Sequence, residues 1–125
     1  MNTAVLNARH AMAFVAALIE GGVKHAVVSP GARNTPLVLA LNALSDRVQI
    51  HPVLDERTAG FVGLGLARMS DSPVILSCTS GSAGAHWLPA MVEASESGIP
   101  LLAITADRPV ELHDCGAPQT IEQQR

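Results

Sequence analysis

The chain has 125 residues, 48% of them hydrophobic and 15% charged, and carries a net charge of −3. That length suits one domain with a real core, and with two Phe, one Trp and no Tyr the core must be aliphatic. The lack of aromatic stacking platforms and the acidic balance argue against a nucleic-acid partner.

Seven of the eight basic residues are Arg, the exception being Lys24. Arg gives fixed, bidentate recognition of carboxylate or phosphate, so the bias favours anion sites. Cys78 and Cys115 fit no metal-ligand spacing, and Cys78 reads as a small buried hydrophobe at a strand end. The start carries no charged region followed by an apolar run, and no stretch approaches membrane-spanning length. The chain reads as cytoplasmic.

Asn7 to about Glu20 predicts a helix with Met12, Val15 and Ile19 on one face, ended by Gly21-Gly22. His25–Ser29 is a short apolar strand of the kind buried on both faces, broken by Pro30-Gly31. Thr35-Pro36 fits a helix start, a capping hydroxyl with Pro in the first turn, and that helix continues to about Leu44. Val48–Val53 is a second strand, after which Asp55 is placed to cap a helix running from Glu56 to about Met69. Gly60, Gly63 and Gly65 within that helix should cost roughly 1 kcal/mol each relative to Ala. Their return is close approach of another backbone, including self-association through that face. A third strand, Pro73–Cys78, leads through Thr79-Ser80-Gly81-Ser82 into a helix from about Ala83 to Ser97, closed by Gly98. Pro100–Thr105 is the fourth strand.

The strands start at residues 25, 48, 73 and 100, the rhythm of repeated strand–helix units. The expected fold is a three-layer α/β/α sandwich with a mainly parallel sheet. Val110–Arg125 is polar and irregular, so residues 1–125 read as the first domain of something longer or one subunit of a split assembly. In an open parallel sheet, ligands bind just outside the carboxyl ends of the strands. The chemistry is therefore expected in the four turns that follow the strands.

Those turns hold the candidate residues. Gly60-Phe-Val-Gly63-Leu-Gly65 lies inside a helix and has the wrong spacing for a dinucleotide fingerprint. Thr79-Ser80-Gly81-Ser82 offers backbone N–H groups at a helix start, suited to an anion or a polar edge, or is an ordinary capped turn; it lacks the Lys of a phosphate-binding loop. Glu56 opens a helix that is apolar and glycine-rich just beyond it, which suits its carboxyl to hold or share a proton. A first-turn acid favoured by the helix dipole is the plainer alternative. Arg33 and Arg108 both follow strand ends beside Pro, a pair suited to carboxylates, although a solvated Arg is the commoner case. The five histidines are scattered and form no triad.

Pro30-Gly31-Ala32-Arg33-Asn34-Thr35-Pro36-Leu37, Asp55-Glu56-Arg57-Thr58-Ala59-Gly60, Thr79-Ser80-Gly81-Ser82-Ala83, Thr105-Ala106-Asp107-Arg108-Pro109 and Gly116-Ala117-Pro118-Gln119 together carry a resemblance. Over essentially its whole length the chain resembles the N-terminal pyrimidine-binding domain of the 2-succinyl-5-enolpyruvyl-6-hydroxy-3-cyclohexene-1-carboxylate synthase family. These are thiamine-diphosphate-dependent transferases of menaquinone biosynthesis. Glu56 with Gly65-Leu-Ala-Arg68, and Thr79-Ser80-Gly81, are shared across many thiamine-diphosphate enzymes; the segments around Arg33, Arg108 and Gln119 are more specific. The resemblance implies that Glu56 is the catalytic residue and hydrogen-bonds the cofactor's pyrimidine nitrogen, with Thr79, Ser80 and Gly81 also at the cofactor. It implies that Arg33, Arg108 and Gln119 bind the substrates, 2-oxoglutarate and isochorismate. It further implies Mg²⁺ held by a separate C-terminal domain absent from this chain, and a homodimer or homotetramer with active sites between subunits. Ala32 and Asn34 depart from the family, which usually has Ser at both positions. The small subunit of a split thiamine-diphosphate 2-oxo-acid decarboxylase, or a non-catalytic dimerisation module, are the alternatives.

Overall fold

The computed structural model describes residues 2–123, and all four strands lie in one parallel sheet. Gln124 and Arg125, the end of the polar tail, lie outside the described residues. The elements run α1 (Thr3–Glu20), β1 (His25–Val28), α2 (Thr35–Ala43), β2 (Gln49–Pro52), α3 (Glu56–Ser70), β3 (Val74–Cys78), α4 (Leu88–Ser97) and β4 (Leu101–Thr105). The strand order is β2-β1-β3-β4, with His25 opposite both Gln49 and Val74, and Val74 opposite Leu101. Order reverses between β1 and β3, and that junction is the topological switch point of the sheet.

Two aliphatic cores cover the two faces, as the composition required. On one, α1 and α2 bury Ala11, Val15, Ala40 and Leu41 against Ala26, Val28 and Ile75. On the other, α3 and the segment before α4 bury Ala59, Ala67 and Trp87 against Val27, Val74 and Leu76. β3, central and covered on both sides, is buried at all five positions, which explains its unbroken apolar run.

Three boundaries differ from the sequence reading. α1 starts four residues earlier, at Thr3, because the Asn2 side chain accepts from the Ala4 N–H at 2.9 Å and caps it. α4 starts later, at Leu88. Gly81–Trp87 forms a seven-residue 3₁₀ segment instead, and Pro89 sits in the first turn of the α-helix that follows. α2 is not capped by Thr35. The Thr35 hydroxyl donates to the carbonyls of Ala32 (2.9 Å) and Gly31 (3.4 Å), and Asn34 occupies the cap position without its side chain bonding the helix.

The glycines of α3 serve the interior of this chain. A Cβ on Gly60 would lie 2.9 Å from the Ala90 Cβ, and one on Gly63 would lie 2.4 Å from Leu76 Cδ2. The close approach is to side chains of α4 and β3, so Gly60 and Gly63 are filled from within the chain and form no notch for a partner. Gly65 points to open space.

Candidate active site

The turn after β1 is held by one buried amide. Asn34 is fully enclosed; its Oδ1 accepts from the Gly31 N–H at 2.8 Å, and its Nδ2 donates to the Ser29 carbonyl and to Ser77 Oγ, both at 3.2 Å. A Cβ on Gly31 would lie 2.5 Å from the Thr79 Cβ. Glycine and asparagine together press the β1 turn onto the β3 turn, filling the switch point. The open space is displaced to either side of it.

The turn after β2 supplies two carboxylates with different fates. Asp55 accepts from the N–H groups of Arg57 (2.9 Å) and Thr58 (3.4 Å), capping α3 as expected. The Arg57 guanidinium donates to both its oxygens, at 3.0 and 2.6 Å. Those bonds hold the Asp55 carboxyl well below the usual carboxylate range. Glu56 is half-buried and lines a cavity of about 200 Å³ with Thr79, Ser80, Ser82, His86 and Gln119. Cys78 lies beneath it. Burial, and secondarily the Glu56 carboxylate, push the Cys78 thiol up to about 12.

The turn after β3 meets the chain's last described residues. The Ser80 hydroxyl donates to the Gln119 carbonyl at 3.0 Å, and the Gly81 N–H donates to Gln123 Oε1 at 2.8 Å. Gln123 Nε2 in turn donates to Thr105 Oγ1 (3.3 Å) and the Ala106 carbonyl (3.0 Å). One amide side chain thus joins the ends of β3 and β4. The Gly81 N–H expected to face an anion is already bonded.

The turn after β4 orients Arg108. Its N–H donates to Asp107 Oδ1 at 2.7 Å, and the His113 Nε2–H donates to its carbonyl at 3.0 Å. The guanidinium donates to the Pro118 carbonyl (3.0 Å) and to Gln119 Oε1 (3.4 Å), leaving the buried Nε–H without a partner among the described residues.

The structure therefore brings Glu56, Thr79, Ser80 and Gln119 to one cavity, with Arg108 joined to it through Gln119. Arg33 is elsewhere. It is exposed and lines a separate cavity of about 350 Å³ with His10, Phe14, Pro36, Ala106 and Asp107. Gly81 lines a third space of about 440 Å³ with Trp87, Met91 and Thr105. The sequence reading missed His86 and Gln123 as site residues, took Ser82 only as part of its turn, and noted Asn34 only as a departure from the family. Nothing in local pattern marks His86 or Gln123, since their partners lie in other turns.

Residues 8–125 match the family model described as thiamine pyrophosphate enzyme, N-terminal TPP binding domain. The chain belongs to this family. A protein of Dechloromonas aromatica (strain RCB) is 52% identical over 118 residues, covering 94% of this chain and 22% of its own length. One from Myxococcus xanthus (strain DK1622) is 51% identical over 120 residues, covering 96% of this chain and 20% of its own. One from Roseiflexus castenholzii is 51% identical over 117 residues, covering 94% and 20%. All three are named 2-succinyl-5-enolpyruvyl-6-hydroxy-3-cyclohexene-1-carboxylate synthase. The chain spans about a fifth of the length of the curated relatives it matches.

The donor set fits the pyrimidine end of thiamine diphosphate. A half-buried carboxyl stands at a cavity walled also by hydroxyls, an amide, an imidazole and the Ala83 methyl, a mostly polar set that suits the edge of a flat ring. It does not fit Mg²⁺, for among the described residues no three His, Cys, Asp or Glu side chains gather.

Proposed function

We propose that this chain is the pyrimidine-binding domain of a 2-succinyl-5-enolpyruvyl-6-hydroxy-3-cyclohexene-1-carboxylate synthase. The whole enzyme would be a transferase that decarboxylates 2-oxoglutarate and adds the four-carbon unit to isochorismate in menaquinone biosynthesis. The observation that carries the reading is the Glu56 carboxyl sharing its cavity with Ser80 and Gln119, while Arg108 donates to Gln119. The names of the relatives support it over a split decarboxylase subunit or a non-catalytic module.

When bound, thiamine diphosphate supplies the nucleophilic carbon and the electron sink that loss of CO2 from a 2-oxo acid requires. Glu56 would hydrogen-bond the pyrimidine nitrogen and so bias that ring's tautomer. Thr79 and Ser80 wall the ring, and Gly81 sets the turn that carries them. Arg108 and Gln119 bind substrate carboxylate and hydroxyl groups with donors already oriented by Pro118 and Ser80. Arg33, on its own cavity, would bind a second carboxylate. In this reading Mg²⁺ and the diphosphate are held by a further domain, the sites lie between subunits of a homodimer or homotetramer, and the enzyme is cytoplasmic.

The test uses the full-length enzyme bearing this domain. Glu56→Gln should slow exchange of the thiazolium proton about 10²–10⁴-fold, with KM for 2-oxoglutarate little changed. Arg108→Ala should do the reverse, raising KM while leaving proton exchange intact. Exchange at the wild-type rate in Glu56→Gln, read by NMR, would overturn the assignment.

A further inference from the structure

His25 opens β1, and His51 is the third residue of β2. The register pairs Val27 with His51, so His25 stands diagonally across from His51. Alternation along each strand puts both imidazoles on the face that α3 covers, away from the turns of the proposed cofactor site. Nδ1 of His25 lies 3.1 Å from Nε2 of His51, with the ring centroids 5.3 Å apart and the planes tilted by 45°. Both residues are half-buried and reachable from solvent.

We propose that this histidine pair is a two-point chelate for a borderline divalent transition-metal ion such as Cu²⁺, Ni²⁺ or Zn²⁺. Metal–imidazole bonds of about 2.0–2.1 Å place two neighbouring ligand nitrogens roughly 2.9 Å apart at a right angle and roughly 3.3 Å apart at the tetrahedral angle. The observed separation falls between these values. The strands are locked on both sides of the pair, by Gln49 N–H to the Lys24 carbonyl (2.9 Å) and Val53 N–H to the Val28 carbonyl (3.0 Å), so little backbone movement is needed.

One ring N–H now lies between the two nitrogens. On binding, that proton moves to the other nitrogen of the same ring, and both inner nitrogens face the ion. The change is one of tautomer, with no net proton released by a neutral pair. Among the described residues no third His, Cys, Asp or Glu side chain joins the pair, so water completes the coordination. Two imidazoles favour Cu²⁺ most and select against Mg²⁺ and Ca²⁺.

The probe is CuCl2 added below stoichiometry to the ¹³C-labelled chain. The ring signals of His25 and His51 should broaden first, ahead of those of His10, His86 and His113. His25→Gln and His51→Gln should each weaken Cu²⁺ affinity by calorimetry at least tenfold, with the amide spectrum otherwise preserved. Equal broadening of all five histidines, or affinities of both variants within twofold of wild type, would overturn the proposal. The wild-type broadening order decides the matter even if a variant fails to fold.

Discussion

The Ser80 hydroxyl donates a 3.0 Å hydrogen bond to the main-chain carbonyl of Gln119, 39 residues further along the chain. Gln119 sits in the left-handed region at φ 55, a conformation that a side chain adopts at some cost. A buried hydroxyl on one side and a glycine on the other keep it there. A Cβ on Gly81 would come within 3.0 Å of the Gln119 Cα, and Gly81 is itself at φ +83.

Two substitutions probe that contact. Ser80→Ala should cost about 1 kcal/mol, the usual worth of one hydrogen bond. Gly81→Ala should cost more, about 2–4 kcal/mol, because it meets both the left-handed backbone and the Gln119 main chain. Urea unfolding of the two variants checks the order; equal losses would contradict the role given to Gly81.

Asn34 is the second clamp, and it leaves three partners behind when removed. Asn34→Leu keeps the volume but strips the Gly31 N–H and Ser77 Oγ of their contacts inside the fold. Each unsatisfied buried group costs about 1–3 kcal/mol, so the loss should be about 2–6 kcal/mol. Hydrogen exchange of the Gly31 amide should rise with it. A stability change under 1 kcal/mol would show that the turn is held by other means.

The glycines of α3 should part company on mutation. Gly65→Ala enters open space within a helix and should stabilise by about 0.5–1 kcal/mol. Gly63→Ala places its methyl 2.4 Å from Leu76 Cδ2, a side chain with no exposure, and overpacking of that kind costs about 1–3 kcal/mol. Thermal melts of both variants give the signs directly.

The two thiols should differ in reactivity. Cys115 is exposed and Cys78 is buried, with the Cys78 thiol pushed up to about 12 by burial and the Glu56 carboxylate. Iodoacetamide at pH 8 should label Cys115 alone, as mass spectrometry of the native chain would report. The sign with pH follows from linkage. An unfolded thiol releases its proton near pH 9 while the folded one keeps it, so the chain loses stability as pH rises from about 9 towards 12. Cys78→Ala should remove that slope.

Much of the architecture was legible because it rests on local chemistry. Apolar runs spaced by helical stretches set four parallel strands, and Gly98 and Asp55 ended and began helices as their φ freedom and side-chain oxygen dictate. Thr35 shows where local rules lose. Its hydroxyl found two carbonyls of its own turn, while the cap position went to Asn34, whose amide was needed to reach Ser77 43 residues away. The 3₁₀ course of Gly81–Trp87 was equally hidden. Gly81 there is set by Gln119 and Gln123, and Trp87 fills the core between α3 and the sheet.

The sequence by itself determined the fold class, the aliphatic core, the family and the location of the chemistry in four strand-end turns, since each follows from periodicity and local motifs. Only the tertiary structure decided how those turns combine. It closed the switch point with Asn34 and Gly31, gathered Glu56, Thr79, Ser80 and Gln119 around one cavity, and set Arg33 on another. It also turned the glycines of α3 inward and brought His25 to His51. These are contacts between residues far apart in sequence, chosen by strand order and register, which no local pattern encodes.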